Sequence, residues 1–145
     1  MKENQKLYIM LAGHRKSGTS MFHGLFDGHT SICSYPVDLT VLYAYFPHYI
    51  SGNYTDQELI DRLDRIVYQL LAERLSKHDI NEVDLPLLRE KFLFKWRQGR
   101  IRDVGWLIRA ISEVWSEEVG QAERPLFLYK ETSSEIYSSS LYEWL

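Results

Sequence analysis

LYIMLAGHRKSGTS, residues 7–20, decides the fold. Its first part, Leu7 to Ala12, is an unbroken apolar run bounded by polar residues and Gly13, the pattern of a strand buried on both faces of a parallel sheet. Gly13 to Gly18 reads as a loop, and Thr19 opens a helix with Met21, Phe22, Leu25 and Phe26 on its inner side. Glycine lets the backbone turn tightly and approach a ligand with no Cβ in the way. The free N–H groups at the start of the following helix, aided by the helix dipole, form an anion site. Arg15 and Lys16 add positive charge, while Ser17, Thr19 and Ser20 add hydroxyl donors. A junction so equipped is built to hold a phosphate or a sulfate.

Outward from this junction, Gly28 stands where a helix C-cap glycine belongs. A short second strand follows at Ser31 to Ser34, ending at Tyr35-Pro36. Thr55-Asp-Gln-Glu58 is a capping box, and Leu59, Leu63, Ile66, Val67, Leu70 and Leu71 continue it as a helix to about Lys77. Pro86 and Gly99 bracket a second helix. Val104, Leu107, Ile108, Ile111 and Trp115 mark a third, closed by Gly120. Leu126 to Tyr129 is another buried-type strand, and Ser133 to Leu145 starts one more helix. Strands separated by helices predict an α/β fold with a parallel sheet.

Spacing separates the possible anions. A nucleotide-triphosphatase loop reads G-x-x-x-x-G-K-[ST]. Gly13 and Gly18 have that separation, but Thr19 follows where the lysine belongs, and the lysine lies before Gly18 instead. Lys16-Ser-Gly-Thr-Ser20 resembles the 5′-phosphosulfate loop of sulfotransferases that use 3′-phosphoadenosine 5′-phosphosulfate (PAPS). The resemblance runs on through SMFHGLFDGH (20–29) and ICSYPVDLTVLYAYF (32–46), similar to the bacterial and Golgi-type branch. It returns at FLYKETSSEIYSSSLYEWL (127–145). Thr30 stands where the family usually has proline, and residues 55–120 carry no such likeness.

The resemblance implies a P-loop-type parallel sheet with flanking helices, the chain from 1 to 145 being one partial domain with a helical insertion at 55–120. It implies that Arg15, Lys16, Ser17, Gly18, Thr19 and Ser20 hold the 5′ end of PAPS, with Lys16 at the bridging and leaving oxygens. It makes Lys130 the lysine that touches the transferring sulfate, with Glu131 as a neighbour able to pair with it. A glutamate serves as base in the Golgi-type relatives; here Asp38 is the carboxylate in that region, and its other reading is an N-cap for a helix starting near Leu39. His14 is a second candidate base, and Tyr35, Tyr43, Tyr45, Phe46 and Trp106 are core or acceptor-pocket aromatics. The family's Arg and Ser for the 3′-phosphate have no counterpart in these residues. The expectation is therefore that the C-terminal part of the fold is missing and that the chain alone is inactive, being oligomeric or completed by a complementing segment.

Composition bounds the rest. Hydrophobic residues make up 45% and charged ones 26%, as in ordinary globular proteins. The net charge of −3 argues against nucleic acid as a partner. Cys33 is the single cysteine, and the histidines lack ligand spacing, so no metal is expected. No apolar run is long enough for a membrane span, and MKENQK leads directly into the first strand, so a cytoplasmic protein is expected. The expected partners are PAPS and an unidentified acceptor bearing a hydroxyl or amine. Two other classes stay open: a small-molecule kinase with an altered loop, and a non-catalytic assembly partner.

Overall fold

The computed structural model of the chain describes residues 6–13, 18–45, 54–77 and 82–132. Strands β1 (Leu7–Ala12), β2 (Ile32–Asp38) and β3 (Leu126–Glu131) form a parallel sheet in the order β1-β3-β2. Helix α1 (Thr19–Gly24) connects β1 to β2. Between β2 and β3 come α2 (Val41–Tyr45), α3 (Asp56–Leu63), a π-helical turn (Asp64–Tyr68), α4 (Gln69–Lys77), α5 (Leu85–Gln98) and α6 (Val104–Glu118). The chain is α/β, and helices fill the interval in which the sequence places them. No helix among the described residues is long and apolar enough to cross a membrane.

The helical layer follows from its caps and its apolar spacing. Thr55 and Glu58 close the capping box over α3, while Asp84 and Asp103 accept N–H bonds at the starts of α5 and α6. Leu59, Leu63, Val67, Leu71 and Leu75 are all buried, each four residues after the last. In an unbroken α-helix each step of four overshoots a full turn by about 40°, so such a series would spiral off the core. The wider π turn between α3 and α4 takes up the excess. It keeps the leucines inside and leaves Leu70, Glu73, Arg74 and Lys77 along the neighbouring face. Phe92 and Trp96 stack at 5.2 Å, and the Trp106 ring covers Gly99 so closely that a Cβ there would lie 1.7 Å from it.

Two expectations about the sheet side are corrected. Leu7–Ala12 is not buried on both faces: Leu7 is 61% exposed, and Tyr8 and Ile9 are exposed as well. The reason is helix cover: β1 and β2 are both edges, but β2 packs against α4 and α6 and is largely buried, whereas β1 lies at the other edge; β3, paired on both sides, is buried from Phe127 to Glu131. Nor do the apolar residues of α1 face inward. Met21 is 75% exposed, Phe22 and Leu25 are exposed, and His23 is the buried residue of the helix. Ser20, His23, Gly24 and, in the following turn, Asp27 share a face at helical spacing that lines a cleft beside the sheet, with His23 alone of the four buried. Gly28 sits at φ 78°, in the left-handed conformation that ends such a turn.

Strand β2 runs through Pro36 to Asp38, beyond its expected end at Ser34. Its pairing with β3 slips between Ser34, opposite Leu128, and Asp38, opposite Lys130. Proline has no N–H to give to a ladder and is tolerated at an edge or a bulge. The slip accommodates Pro36 and carries Asp38 onto the level of Lys130.

Candidate functional site

In a parallel sheet the carboxyl ends of all strands share one edge, where open α/β folds place ligands. Three expected site residues meet there. Lys130 Nζ donates to Ser20 Oγ at 2.8 Å and stands 3.7 Å from Asp38 Oδ1. Lys130 is only 8% exposed, so it is not a solvated strand-end lysine. A buried ammonium needs such partners to offset its lost hydration. Glu131 is also buried, but successive strand residues point to opposite faces, which turns it away from Lys130.

Asp38 does not cap a helix. It is the last residue of β2, helix α2 starts at Val41, and Asp38 Oδ1 is buried without accepting a hydrogen bond among the described residues. Its neighbour Leu39 donates its backbone N–H to the carbonyl of Lys130 at 2.8 Å, fixing the end of β2 against β3. Ahead of α2, Thr40 adopts φ 56° and its Oγ1 donates to Leu39 O at 2.8 Å.

A cleft of about 370 Å³ opens beside this pair. One wall is the α1 stripe of Ser20, His23, Gly24 and Asp27; the other is Leu70, Glu73, Arg74 and Lys77 of α4. Pro36, Val37, Asp38 and Lys130 form its floor. His23 is the residue that sequence reasoning missed. It is buried, and burial lowers the pKa of its imidazole. The signal was present in the polar spacing of Ser20, His23, Gly24 and Asp27, but the apolar residues between them dominate the pattern.

Gly18 takes φ 85° at the N-cap of α1, a conformation suited to glycine, and Thr19 and Ser20 form the first turn. Arg15, Lys16, Ser17 and the alternative base His14 lie outside the described residues, as do Phe46, the Tyr45 side chain and the expected helix from Ser133. Tyr35 is fully buried against Trp115 and Phe127, and burial pushes its hydroxyl pKa up. Trp106 packs on Gly99 in the helical layer. These two are packing residues, and neither lines the cleft.

No family model, curated protein or solved structure matches the chain. The site is accordingly read from its own geometry: a glycine-led helix start, a buried lysine bonded to a serine, and a carboxylate and an imidazole beside them.

Proposed function

We propose that the chain supplies the donor-binding part of a sulfotransferase, using PAPS to sulfate a hydroxyl or amine acceptor. The observation that carries this reading is the meeting of Ser20, Asp38 and Lys130, brought from three distant segments to within 2.8 Å and 3.7 Å of the same ammonium. Sulfuryl transfer requires that charge growing on the leaving phosphate oxygen be stabilised. A buried lysine beside a helix start does that, because its charge is little screened there. Lys16, two residues before Gly18, adds a second cation. Asp38 is the carboxylate that the resemblance assigns to the acceptor's proton. The 3′-phosphate contacts come, on this reading, from outside these residues, and the isolated chain is inactive. A second reading, as an assembly partner, is favoured by the exposed apolar residues of β1 and α1.

Thermal-shift titration with adenosine 5′-phosphosulfate, adenosine 3′,5′-bisphosphate and ATP tests the proposal. A ligand present at a hundred times its Kd stabilises by about 2.7 kcal/mol. The phosphosulfate should raise Tm, Lys16→Ala should remove the rise, and ATP should give little. Stabilisation by ATP alone would replace this reading with a kinase. Silence toward all three ligands would leave the assembly reading.

A further inference from the structure

We propose that His23 is the proton-accepting group of the cleft between α1 and α4, taking through Nε2 the proton of the hydroxyl that receives the sulfuryl group. The inference rests on the sulfotransferase reading, but its own ground is the setting of the ring. His23 is 6% exposed, lines the cleft, and its Nε2 is buried without a hydrogen-bond partner among the described residues. Buried polar atoms are nearly always satisfied, so an orphan on a residue that lines a cleft is a place for a ligand's donor. The ring also hydrogen-bonds to the backbone of Tyr35. With Nε2 unpartnered, that bond is made by the other ring nitrogen, which leaves the lone pair of the neutral imidazole on Nε2.

The groups facing the ring come from every wall. Asp27 follows on its own helix, Asp38 and Lys130 rise from β2 and β3, and Glu73, Arg74 and Lys77 of α4 line the opposite side. Burial lowers the imidazole below its ordinary value; Asp27 opposes this, Lys130 reinforces it, and Asp38 and the Tyr35 bond oppose it. The net result is a ring that is neutral at pH 7 and able to accept a proton. Asp38, the base that the resemblance implies, is on this inference not the proton acceptor: it is engaged beside the Lys130 ammonium, placed to stabilise the imidazolium once it forms. In the step, the acceptor's O–H bond breaks and its proton goes to Nε2. The electron pair left on oxygen forms the new O–S bond. The S–O bond to the donor's phosphate breaks, and its pair departs with the phosphate toward Lys130 and the loop.

Ring-nitrogen NMR of the whole chain, titrated in pH with and without adenosine 5′-phosphosulfate, tests this without requiring turnover. At neutral pH, Nε2 should give the signal of an unprotonated nitrogen, and the ring should titrate below the ordinary histidine value. The bound sulfuryl anion should raise that midpoint by about one unit, so the probe binds the charged ring about tenfold more tightly than the neutral one. His23→Gln should bind the probe normally at alkaline pH and lose the tightening on acidification. If the amides of Gly18 to Ser20 respond to the probe while the His23 titration does not move, the proton belongs to another group and the inference falls, with the donor site intact. A variant that keeps the pH dependence has the same meaning. No response at either the amides or the ring would overturn both readings together.

Discussion

In the layer of α3 to α6, Leu63, Leu71, Leu88, Phe92 and Leu107 are fully buried, whereas along β1 and α1 Leu7, Ile9, Met21, Phe22 and Leu25 are exposed. Polar groups differ in the same sense. The helices carry caps and surface ion pairs such as Arg89–Asp64 at 2.6 Å and Arg102–Asp56 at 2.7 Å. The sheet edge holds a buried lysine and, among the described residues, two buried atoms without a hydrogen-bond partner, His23 Nε2 and Asp38 Oδ1, the latter 3.7 Å from the lysine. The helical layer has made most of its contacts within the chain, although among the described residues Trp96 Nε1 is buried without a partner and Leu87 and Phe94 of α5 are exposed. The other region has unused apolar surface and unused hydrogen-bonding capacity, the property of a place where something binds. On the proposed reading, stability and ligand binding are held largely by different parts of the molecule.

The sharpest way to break that division is Phe92→Ala. It removes a fully buried ring stacked on Trp96 and should lower unfolding stability by about 3–5 kcal/mol in urea titration. Phosphosulfate affinity, measured well below the melting transition, should be unchanged; a parallel loss would show that the two regions are coupled. Lys130→Met makes the opposite cut. It should weaken phosphosulfate binding by about 1.5–3 kcal/mol in calorimetry, the contribution of a hydrogen bond to a charged group. The urea midpoint should fall, but by less than for Phe92→Ala: the change leaves the part-buried Asp38 carboxylate without its cation, offset in part by loss of the lysine's own desolvation cost.

Thr55→Ala sharpens the comparison on a smaller scale. Loss of the capping box should cost about 1 kcal/mol and leave the cleft untouched. Leu7→Lys should do least to stability, within about 0.5 kcal/mol, because the side chain is exposed. A lysine on an edge strand discourages pairing with other chains. Light scattering after size exclusion should therefore show less self-association than in the parent chain. Unchanged association would move the contact surface away from β1.

What could be read from residues was mostly what depends on neighbours along the chain. The caps at Thr55, the helix between Pro86 and Gly99, and the limits of β1 follow from local chemistry, and the structure reproduces them. Partner choice across the fold is a different kind of information. Leu7–Ala12 has the composition of a central strand, yet the sheet order assigns the centre to Leu126–Glu131. Met21, Phe22 and Leu25 form an apolar stripe, yet the polar stripe of Ser20, His23 and Asp27 faces the cleft. Of the site, Lys130 and Asp38 could be singled out through the family resemblance, Asp38 also as the carboxylate of its segment. The slip at Pro36 that sets them side by side could not, because a register is a property of two strands together.

The π turn at Asp64–Tyr68 ties the cleft to chain length rather than to residue identity. Winding the same residues as an ordinary α-helix would rotate everything after them by roughly 90° relative to α3. Leu70, Glu73, Arg74 and Lys77 would then swing out of the cleft, or Leu71 and Leu75 would be dragged from the core. Losing one residue together with the π turn would instead leave α4 facing as it does now, drawn about 1.5 Å toward α3. The extra residue of the turn is thus what the second wall of the cleft is registered on, and a ligand would meet a different wall if the turn closed without that loss.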